Sequence, residues 1–433
     1  MKQLSVNSGQ WSVVASSLPG PDDITRVELS NGITVLARSN FNSPSVSVSG
    51  YLHVGGLFDP DEKLGLADYV SAALMRGTEK RDFQEIYQAM ESVGAALSFN
   101  GATHTTGFGG KSLAEDLSLL MELISEGLRQ PVFPDQQIER LRAQLLTGLT
   151  LRAQDTRDMA GMAFDQIVYK DHPYSRPEDG YPETVQAITR QDLVDFHKKH
   201  YGPRGLVIAV VGGVSPEDAV DKVRAALGDW QNPDQPHPPQ IPSVTPLEEL
   251  VTHRVEIAGK SQADIVIGAS GLARKSEDFL PASLGNSVFG QFGMMGRIGE
   301  AVREKAGLAY YAYSSMSAGM GPGPWAVNAG INPDNIDKAT ELIRAEIKRF
   351  VNEPVEDDEL ADSKANFIGR LPLALESNGG VAGAMINLER YDLGMDYYLR
   401  YAERIEAVTK EDVLAAASKY LHPDKLAVAI AGS

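Results

Sequence analysis

The amino-acid sequence predicts an α+β protein made of two homologous domains, each a mostly antiparallel or mixed sheet with helices packed on it. Three observations predict this class: a length of 433 residues, a duplicated segment, and strand and helix patterns in mixed order. A chain of this length exceeds the usual size of one core, so we expect two domains. The mixed order favours helices packed on an antiparallel or mixed sheet over a doubly wound parallel sheet.

The duplication is clearest in residues 183–213, which align without a gap to residues 403–433. Each copy has a threonine suited to cap a helix, a helical pattern, a proline and then an apolar run that is typical of a buried strand. A second pair of segments, 133–146 and 355–368, also aligns. The chain is therefore predicted to contain two copies of one α+β domain.

A proline-rich segment separates the two copies. Residues 230–246 contain six prolines in a short polar run, which disfavours both a helix and a central strand. We interpret this segment as an interdomain linker. The predicted organisation is an N-terminal domain at 1–230, a linker at 231–248 and a C-terminal domain at 249–433.

Local patterns in the first copy support the mixed order of elements. The pair Asn31-Gly32 lies between two alternating runs and predicts a tight hairpin. Helical patterns follow at 64–76, 82–93, 113–128 and 135–152.

Composition excludes several classes of function. Hydrophobic residues make up 42% and charged residues 23%, so the chain is not mainly disordered. A net charge of -18 argues against nucleic acid and is easier to reconcile with basic partners. The absence of cysteine excludes disulfides, thiolate zinc sites and cysteine nucleophiles. No secretory signal and no apolar run long enough for a membrane span is apparent, so we expect a cytoplasmic protein.

The stretch GLADYVSAALMRGT, residues 65–78, has the frame of a metal-binding helix without its ligands. It resembles the zinc helix of the pitrilysin-type metallopeptidases, peptidase family M16, which are inverted-motif zincins. In that family two histidines four residues apart bind zinc, and a glutamate three residues after the first histidine is the general base. Asp68, Ser71 and Ala72 occupy these three positions here.

The resemblance also implies a third zinc ligand about 75 residues further on. Gly148 or Leu149 stands at that place, and neither side chain can bind a cation. A catalytic zinc needs three protein ligands, so we expect this chain to bind no metal at the degenerate helix. His197 and His200 stand one helical turn apart and could share a metal. However, the sequence places no third ligand beside them, and a structural role is the alternative.

A second segment of interest, residues 285–319, lies in the C-terminal half. Gly290, Gly293 and Gly296 recur at every third residue. Such glycines allow close backbone approach to another helix or to a bound peptide, and we assign them to substrate binding. A helix that ends at Gly307 and a following strand are predicted after them.

The sequence from Arg303 to Tyr310 resembles the second M16 signature, R-E-x-x-G-L-x-Y. In that family the tyrosine hydroxyl helps to stabilise the oxyanion of the tetrahedral intermediate, and the arginine holds the substrate or the tyrosine. Strand alternation puts Tyr310 on the opposite face from Tyr311. The structural alternative is an ordinary helix-to-strand turn with a surface arginine and a sheet tyrosine.

The resemblance extends over nearly the whole chain and implies the LuxS-like metallohydrolase fold of this family. In short members, two chains form a ring of four domains around a chamber. A chain with Arg303 and Tyr310 but no zinc ligands looks like the non-zinc subunit of a heterodimeric bacterial peptidase. The zinc would then belong to a partner subunit of similar size, and the substrates would be peptides; the acidic balance of this chain would suit basic or unfolded ones.

Three alternatives stay open at this stage. The chain could form a homodimer, it could be a catalytically inert scaffold like the core subunits of respiratory complexes, or it could bind peptides without cleaving them.

Overall fold

The computed structural model describes residues 18–293 and 296–433. The expectation that the N-terminus carries no secretory signal concerns residues that lie mostly outside these ranges. The chain forms two compact units, and both draw on both halves of the sequence. Unit 1 comprises the residues up to Leu146, Glu178–Pro239 and Gly369–Ala402. Unit 2 comprises Thr147–Pro177, Gln240–Ile368 and Glu403–Ser433.

The sheet of unit 1 has six strands in the order β1-β2-β6-β3-β5-β4. Strands β2 and β6 are parallel, and the other neighbours are antiparallel. The predicted hairpin at Asn31-Gly32 joins β1 to β2, with Gly32 at a φ of 88°, a left-handed conformation that suits glycine. The strands are β1 Thr25–Glu28, β2 Thr34–Ser39, β3 Ser45–Leu52, β4 Ala96–Gly101, β5 Thr106–Leu113 and β6 Val207–Gly212.

Helices of unit 1 cover both faces of this sheet. One face packs against helices from the first half of the sequence, and the other packs against α13. The helices that begin in this unit are α1 Leu66–Ala73, α2 Phe83–Ser92, α3 Leu117–Arg129, α4 Asp135–Arg152, α6 Pro182–Ala187, α7 Arg190–His200, α8 Pro216–Leu227, α13 Asn378–Arg390 and α14 Tyr401–Glu406. The four helical patterns expected in this part of the chain are confirmed as α1 to α4, with ends shifted by a few residues.

The sheet of unit 2 has five strands in the order β7-β11-β8-β10-β9. Here β7 and β11 are parallel, and the other neighbours are antiparallel. The strands are β7 Val251–Glu256, β8 Ala263–Ser270, β9 Ala309–Met316, β10 Pro324–Ile331 and β11 Ala427–Gly432. The helices are α5 Thr156–Val168, α9 Phe279–Gly290, α10 Gly296–Ile298, which continues as a π-helix at Gly299–Lys305, α11 Ile336–Asn352, α12 Asp357–Ala374 and α15 Lys410–Tyr420.

The two sheets correspond strand by strand, because β2, β6, β3, β5 and β4 repeat the order and directions of β7, β11, β8, β10 and β9. The predicted fold class is confirmed: two related α+β units, each with a mixed sheet covered by helices. The threonine caps expected in both copies are also present. Thr189 and Thr409 each accept a hydrogen bond from the backbone N–H three residues later, as part of a capping box.

Each unit takes one sheet-covering helix from the other half of the sequence. Helix α5, which follows α4, packs against β11 and β8 of unit 2. Helix α13, which follows α12, packs against β6 and β3 of unit 1. Helix α4 and helix α12 therefore each run from one unit into the other.

The first part of the proline-rich segment is fixed to unit 1. Asn232 donates from Nδ2 to the carbonyl of Tyr201 at 2.8 Å. The buried Gln235 side chain donates to the carbonyl of Arg204 at 3.1 Å and accepts from the Arg204 N–H at 3.0 Å. Residues 231–250 contain no helix or strand, in keeping with their prolines.

Within the described ranges, no helix combines the length and the apolar content needed to cross a membrane.

Asn286 of α9 is expected to be a main stabiliser of unit 2. Its Oδ1 atom accepts from the Ser314 hydroxyl at 2.7 Å and from the indole N–H of the fully buried Trp325 at 2.9 Å. Asn286→Ala leaves the indole N–H without a partner and should lower the free energy of unfolding by about 1–3 kcal/mol. Urea unfolding of this variant, against exposed Asn42→Ala as the control, measures the effect. Equal stability of the two variants would contradict this role.

Candidate functional site: the degenerate helix and the Arg303–Tyr310 segment

Helix α1 is held at its N-terminus by a buried carboxylate. The two oxygens of Asp59 accept from the N–H groups of Gly65 and Ala67, each at 2.9 Å. Gly65 has a φ of 91°, and a Cβ atom there would lie 2.8 Å from the carbonyl oxygen of Asp179. The family's glycine at this position thus serves a tight turn, whether or not the helix binds a metal.

The three positions of the missing zinc motif lie on α1 next to the end of strand β4. A Cβ atom on Gly101 would lie 3.0 Å from the carboxylate of Asp68 and 3.0 Å from the hydroxyl of Ser71. Ser71 is buried and donates to the carbonyl of Asp68 at 2.8 Å, within the helix. Ala72 has no polar group. One carboxylate is therefore the only strong metal donor among the three.

Two carboxylic acids next to α1 have raised pKa values. Burial raises the pKa of Asp68 to about 6, and the neighbouring carboxylates of Asp179 and Glu178 raise it further. Burial also raises the pKa of Asp59 to about 7, although the backbone N–H groups that bind it favour its charged form. Burial therefore disfavours the charged form of both carboxylates.

The described residues do not fit a catalytic zinc. Among residues 18–293 and 296–433, no three side chains of histidine, cysteine, aspartate or glutamate are grouped so that they could hold a metal. Gly148 and Leu149 both lie in α4, and Leu149 is buried as an apolar core residue. We therefore derive no catalytic step through a metal held by this chain, and zinc-free behaviour stays a prediction.

His197 and His200 of α7 face different surroundings. The His197 ring lies 2.9 Å from the carbonyl of Leu128. The His200 ring packs between Phe58 and Phe196, with ring centroids 4.4 and 4.5 Å away. Burial lowers the pKa of each imidazole to about 4, so both are neutral at pH 7. These contacts support the structural role for the pair.

The glycines after α9 have three different environments. A Cβ atom on Gly290 would lie only 2.2 Å from the backbone nitrogen of Ser314, so the end of α9 touches strand β9 directly. Gly296, at a φ of 63°, lies against the backbone of Val288, and Gly293, at a φ of 60°, borders open space. Their assignment to substrate binding stays a prediction. The close approach of Gly290 is to a strand of its own unit.

Arg303 lies in the π-helix Gly299–Lys305, which packs against β9. The wide turn is closed by Leu308, whose N–H donates to the carbonyl of Val302 at 3.0 Å, and by Gly307 at a φ of 64°. Isolated π-helical turns are common at functional sites. The Arg303 side chain is about one-third exposed, and its guanidinium lies 3.7 Å from the carboxylate of Glu304.

Tyr310 lies at the start of the edge strand β9, where the register shifts. Tyr311 pairs with Gly330, but the next pair joins Ala309 to Ile331, so Tyr310 has no partner on β10. A residue in such a bulge is re-aimed relative to a regular strand. The Tyr310 side chain is 62% exposed, an unusual value for a tyrosine. Tyr311, in contrast, is only partly exposed.

A cavity of about 310 Å³ in unit 2 was not predicted from the sequence. Its wall carries an excess of carboxylates and includes one buried arginine, Arg297, which pairs with Glu359. The carboxylates on the wall are those of Glu300, Glu304, Asp358, Glu359 and Asp362. The acidic run at 357–362 was a visible signal, but only the fold brings it next to the π-helix.

The raised pKa of Asp68 predicts a pH effect on stability. Its folded pKa of about 6 exceeds the ordinary value, so the protonated form contributes stability below about pH 4 that is lost as the pH rises through 6. Asp68→Asn is neutral throughout. The free energy of unfolding of this variant relative to the wild type should therefore rise by about 1–3 kcal/mol between pH 4 and pH 7.5. Urea unfolding at both pH values measures this, with exposed Asp234→Asn as control. A difference that does not change with pH would contradict the burial of an acid at this position.

Comparison with known proteins places these features in a family. Two sequence families match the chain: "Insulinase (Peptidase family M16)" at residues 34–177 and "Peptidase M16 inactive domain" at residues 187–367. An uncharacterized zinc protease of Streptomyces coelicolor is 28% identical over 411 residues, covering 93% of this chain and 88% of that protein. An uncharacterized zinc protease of Bacillus subtilis is 22% identical over 357 residues, covering 82% and 85%.

Solved structures agree in fold. A peptidase M16 inactive domain from Pseudomonas fluorescens has a TM-score of 0.88 at 25% identity, covering 95% of this chain and 98% of that one. A protease from Helicobacter pylori has a TM-score of 0.88 at 19% identity, covering 96% and 100%, and shows the fold alone. Together these matches are consistent with a non-catalytic M16 subunit. The chain belongs to peptidase family M16, the pitrilysin-type metallopeptidases.

Proposed function

We propose that this chain is the non-zinc subunit of an M16 peptidase and donates Arg303 and Tyr310 to a peptide-hydrolysing site completed by a zinc-bearing partner. One observation carries the proposal: the exposed, bulged Tyr310 follows Arg303 in a chain whose zinc helix lacks its donors. A tyrosine kept only for sheet packing would be expected among the buried aromatic residues.

This chain supplies only one of the two parts of the required chemistry. Ser71 and Ala72 cannot replace the base and the second ligand, and Asp68 alone cannot hold a metal. Arg303 and Tyr310, in contrast, are hydrogen-bond donors of the kind that stabilises developing negative charge. A partner with an intact H-x-x-E-H helix would supply the zinc, its activated water and the base.

The roles of the two residues follow from their chemistry. The Tyr310 hydroxyl would donate to the oxygen of the scissile carbonyl as it becomes an oxyanion. The Arg303 guanidinium would hold the substrate backbone by its fixed fork of N–H donors. Both side chains are accessible enough to meet a peptide.

Charge supports a basic or unfolded peptide as the substrate. The net charge is -18, and the acidic cavity beside the π-helix has two carboxylates, Asp358 and Asp362, besides those that lie next to Arg297, Arg303 and Lys305. Such a surface attracts lysine and arginine side chains and raises the rate of encounter.

The isolated chain should neither bind zinc nor cleave peptides. Because no described group of side chains suits a zinc ion, the purified protein should hold no stoichiometric zinc and should not hydrolyse peptides alone. Metal analysis and a fluorogenic peptide assay measure this. About one tightly held zinc per chain, with chelator-sensitive activity, would refute the proposal.

A second experiment identifies the partner. The tagged chain should co-purify from its native extract with a protein of similar size that contains an H-x-x-E-H helix. Recovery of this chain in a membrane complex would instead favour the inert scaffold, and recovery only as a homodimer would favour peptide binding without cleavage.

Tyr310 should be required for fast turnover. In the reconstituted pair, Tyr310→Phe should lower kcat by roughly tenfold to a thousandfold, the scale of losing one oxyanion donor. Tyr87→Phe is the matched control, since Tyr87 is a second exposed tyrosine, on α2. An unchanged kcat in Tyr310→Phe would remove this residue from the mechanism.

A further inference from the structure

Tyr311, the residue after Tyr310, makes an unusually long reach across its sheet. Its hydroxyl donates to the carboxylate of Asp264 on β8, although β10 lies between β9 and β8. The space is provided by Gly330 of β10, which pairs with both Tyr311 and Asp264. A Cβ atom on Gly330 would lie 2.4 Å from the Tyr311 ring. The ring therefore covers Gly330, and the Tyr311 side chain connects strands β9, β10 and β8.

Asp264 is a buried acceptor with several donors. Its side chain is 2% exposed, and its carboxylate accepts from the Thr156 hydroxyl of α5 and from Gln262 at 3.1 Å, besides Tyr311. Burial raises the pKa of the Tyr311 phenol, and the bond to Asp264 raises it further, so the hydroxyl stays neutral and donates. The hydrogen bonds of a buried carboxylate fix geometry strongly, because an unpaired charge there is costly.

Arg157 of α5 also contacts Tyr311. Its Nε atom donates to the Tyr311 hydroxyl at 3.1 Å, and its guanidinium lies 4.5 Å from the centroid of the Tyr311 ring. The ring thus contacts Gly330 and Arg157, and its hydroxyl is bonded to Asp264 and Arg157. Helix α5 belongs to the first half of the sequence, so that half contributes to the order of β9.

The corresponding place in unit 1 has no such arrangement. The aligned glycines Gly212 and Gly432 set the equivalence of the two sheets, and the strand registers then match Asp264 to Ser47. By the same registers, Gly330 matches Lys111 and Tyr311 matches Ala96.

The helices that cover the two sheets differ in the same way. Helix α13 matches α5 from its N-cap onwards, and Gly379 stands where α5 has Arg157. Unit 1, which lacks the Arg303–Tyr310 segment, therefore has different residues at the positions of Tyr311, Gly330, Asp264 and Arg157. The fold does not require this network.

We propose that Tyr311 is a positioning residue for Tyr310, anchored across Gly330 to Asp264 and clamped by Arg157. A bulge removes ladder hydrogen bonds and leaves its residue poorly fixed. The anchor on the adjacent residue replaces that constraint and holds the Tyr310 hydroxyl in one place, as a preorganised donor requires. This inference rests on the proposed function, since it assigns the network a role in the same composite site.

Three single variants test the anchor by different routes in the reconstituted pair. Tyr311→Phe removes the hydroxyl, Asp264→Asn weakens its acceptor, and Gly330→Ala displaces the ring. Each should lower kcat by roughly tenfold to a hundredfold with little change in KM, the scale of a small misplacement of a catalytic group. Tyr313→Phe is the control, because Tyr313 lies on the same strand with its ring 5.8 Å from Tyr311.

Combination with Tyr310→Phe separates positioning from general structure. If Tyr311 acts through Tyr310, Tyr311→Phe should cause no further loss of kcat, within about twofold, in a Tyr310→Phe background. Losses that multiply would overturn the proposal, and so would wild-type kcat in all three single variants while Tyr310→Phe is slow. Wild-type kcat in Tyr310→Phe itself would instead overturn the composite site.

A measurement without the partner completes the test. In the full-length chain, amide hydrogen exchange at residues 309–311 should be about tenfold or more faster in Tyr311→Phe and unchanged in Tyr313→Phe. Equal exchange in the wild type and Tyr311→Phe would overturn the anchor even if activity changed. Thermal unfolding of each variant confirms that it is folded.

Discussion

The packing of helix α9 against strand β9 is the interaction on which the candidate site depends. Gly290 brings the helix backbone into contact with Ser314, and Asn286 binds both Ser314 and the buried Trp325. An edge strand has only one neighbour to fix it, so β9 needs these additional contacts from the helix layer. They fix the strand in the sheet and bring the π-helix of Arg303 next to it.

The two units share one sheet topology but differ in what they can offer to a substrate. In unit 1, α1 keeps the glycine turn and the packing of the family's metal helix but not its donors, and Asp59 and Asp68 are buried acids with raised pKa values. In unit 2, the donors Arg303 and Tyr310 are present and accessible. A duplicated fold therefore carries an accessible Arg303–Tyr310 segment in one unit and, in the other, a helix α1 with the single carboxylate of Asp68 among the three motif positions.

Helix α1 has a packing role in unit 1 that does not involve a metal. Helix α1 buries Leu66, Tyr69, Val70 and Ala73 in the core of unit 1, and the Tyr69 hydroxyl donates to the carbonyl of Ile138 at 2.6 Å. Loss of metal ligands on one face of the helix leaves these core contacts in place. The fold needs the helix even where the chemistry does not.

Features that depend on residue identity and on short-range pattern were predictable from the amino-acid sequence. These include the duplication, the Asn31-Gly32 hairpin, the threonine caps, the helices α1 to α4 and the identity of the side chains at Asp68, Ser71 and Ala72. A hairpin turn or a missing imidazole is visible locally, because its physical cause lies within a few residues.

Three other features became visible in the folded chain alone: which sheet each of α5 and α13 covers, the bulge at Tyr310, and the hydrogen bond from Tyr311 across Gly330 to Asp264. Each of these depends on strand register or on contacts between residues far apart in the chain. Local propensity and hydrophobic period do not encode such contacts, since the same alternating pattern is compatible with a regular or a bulged pairing.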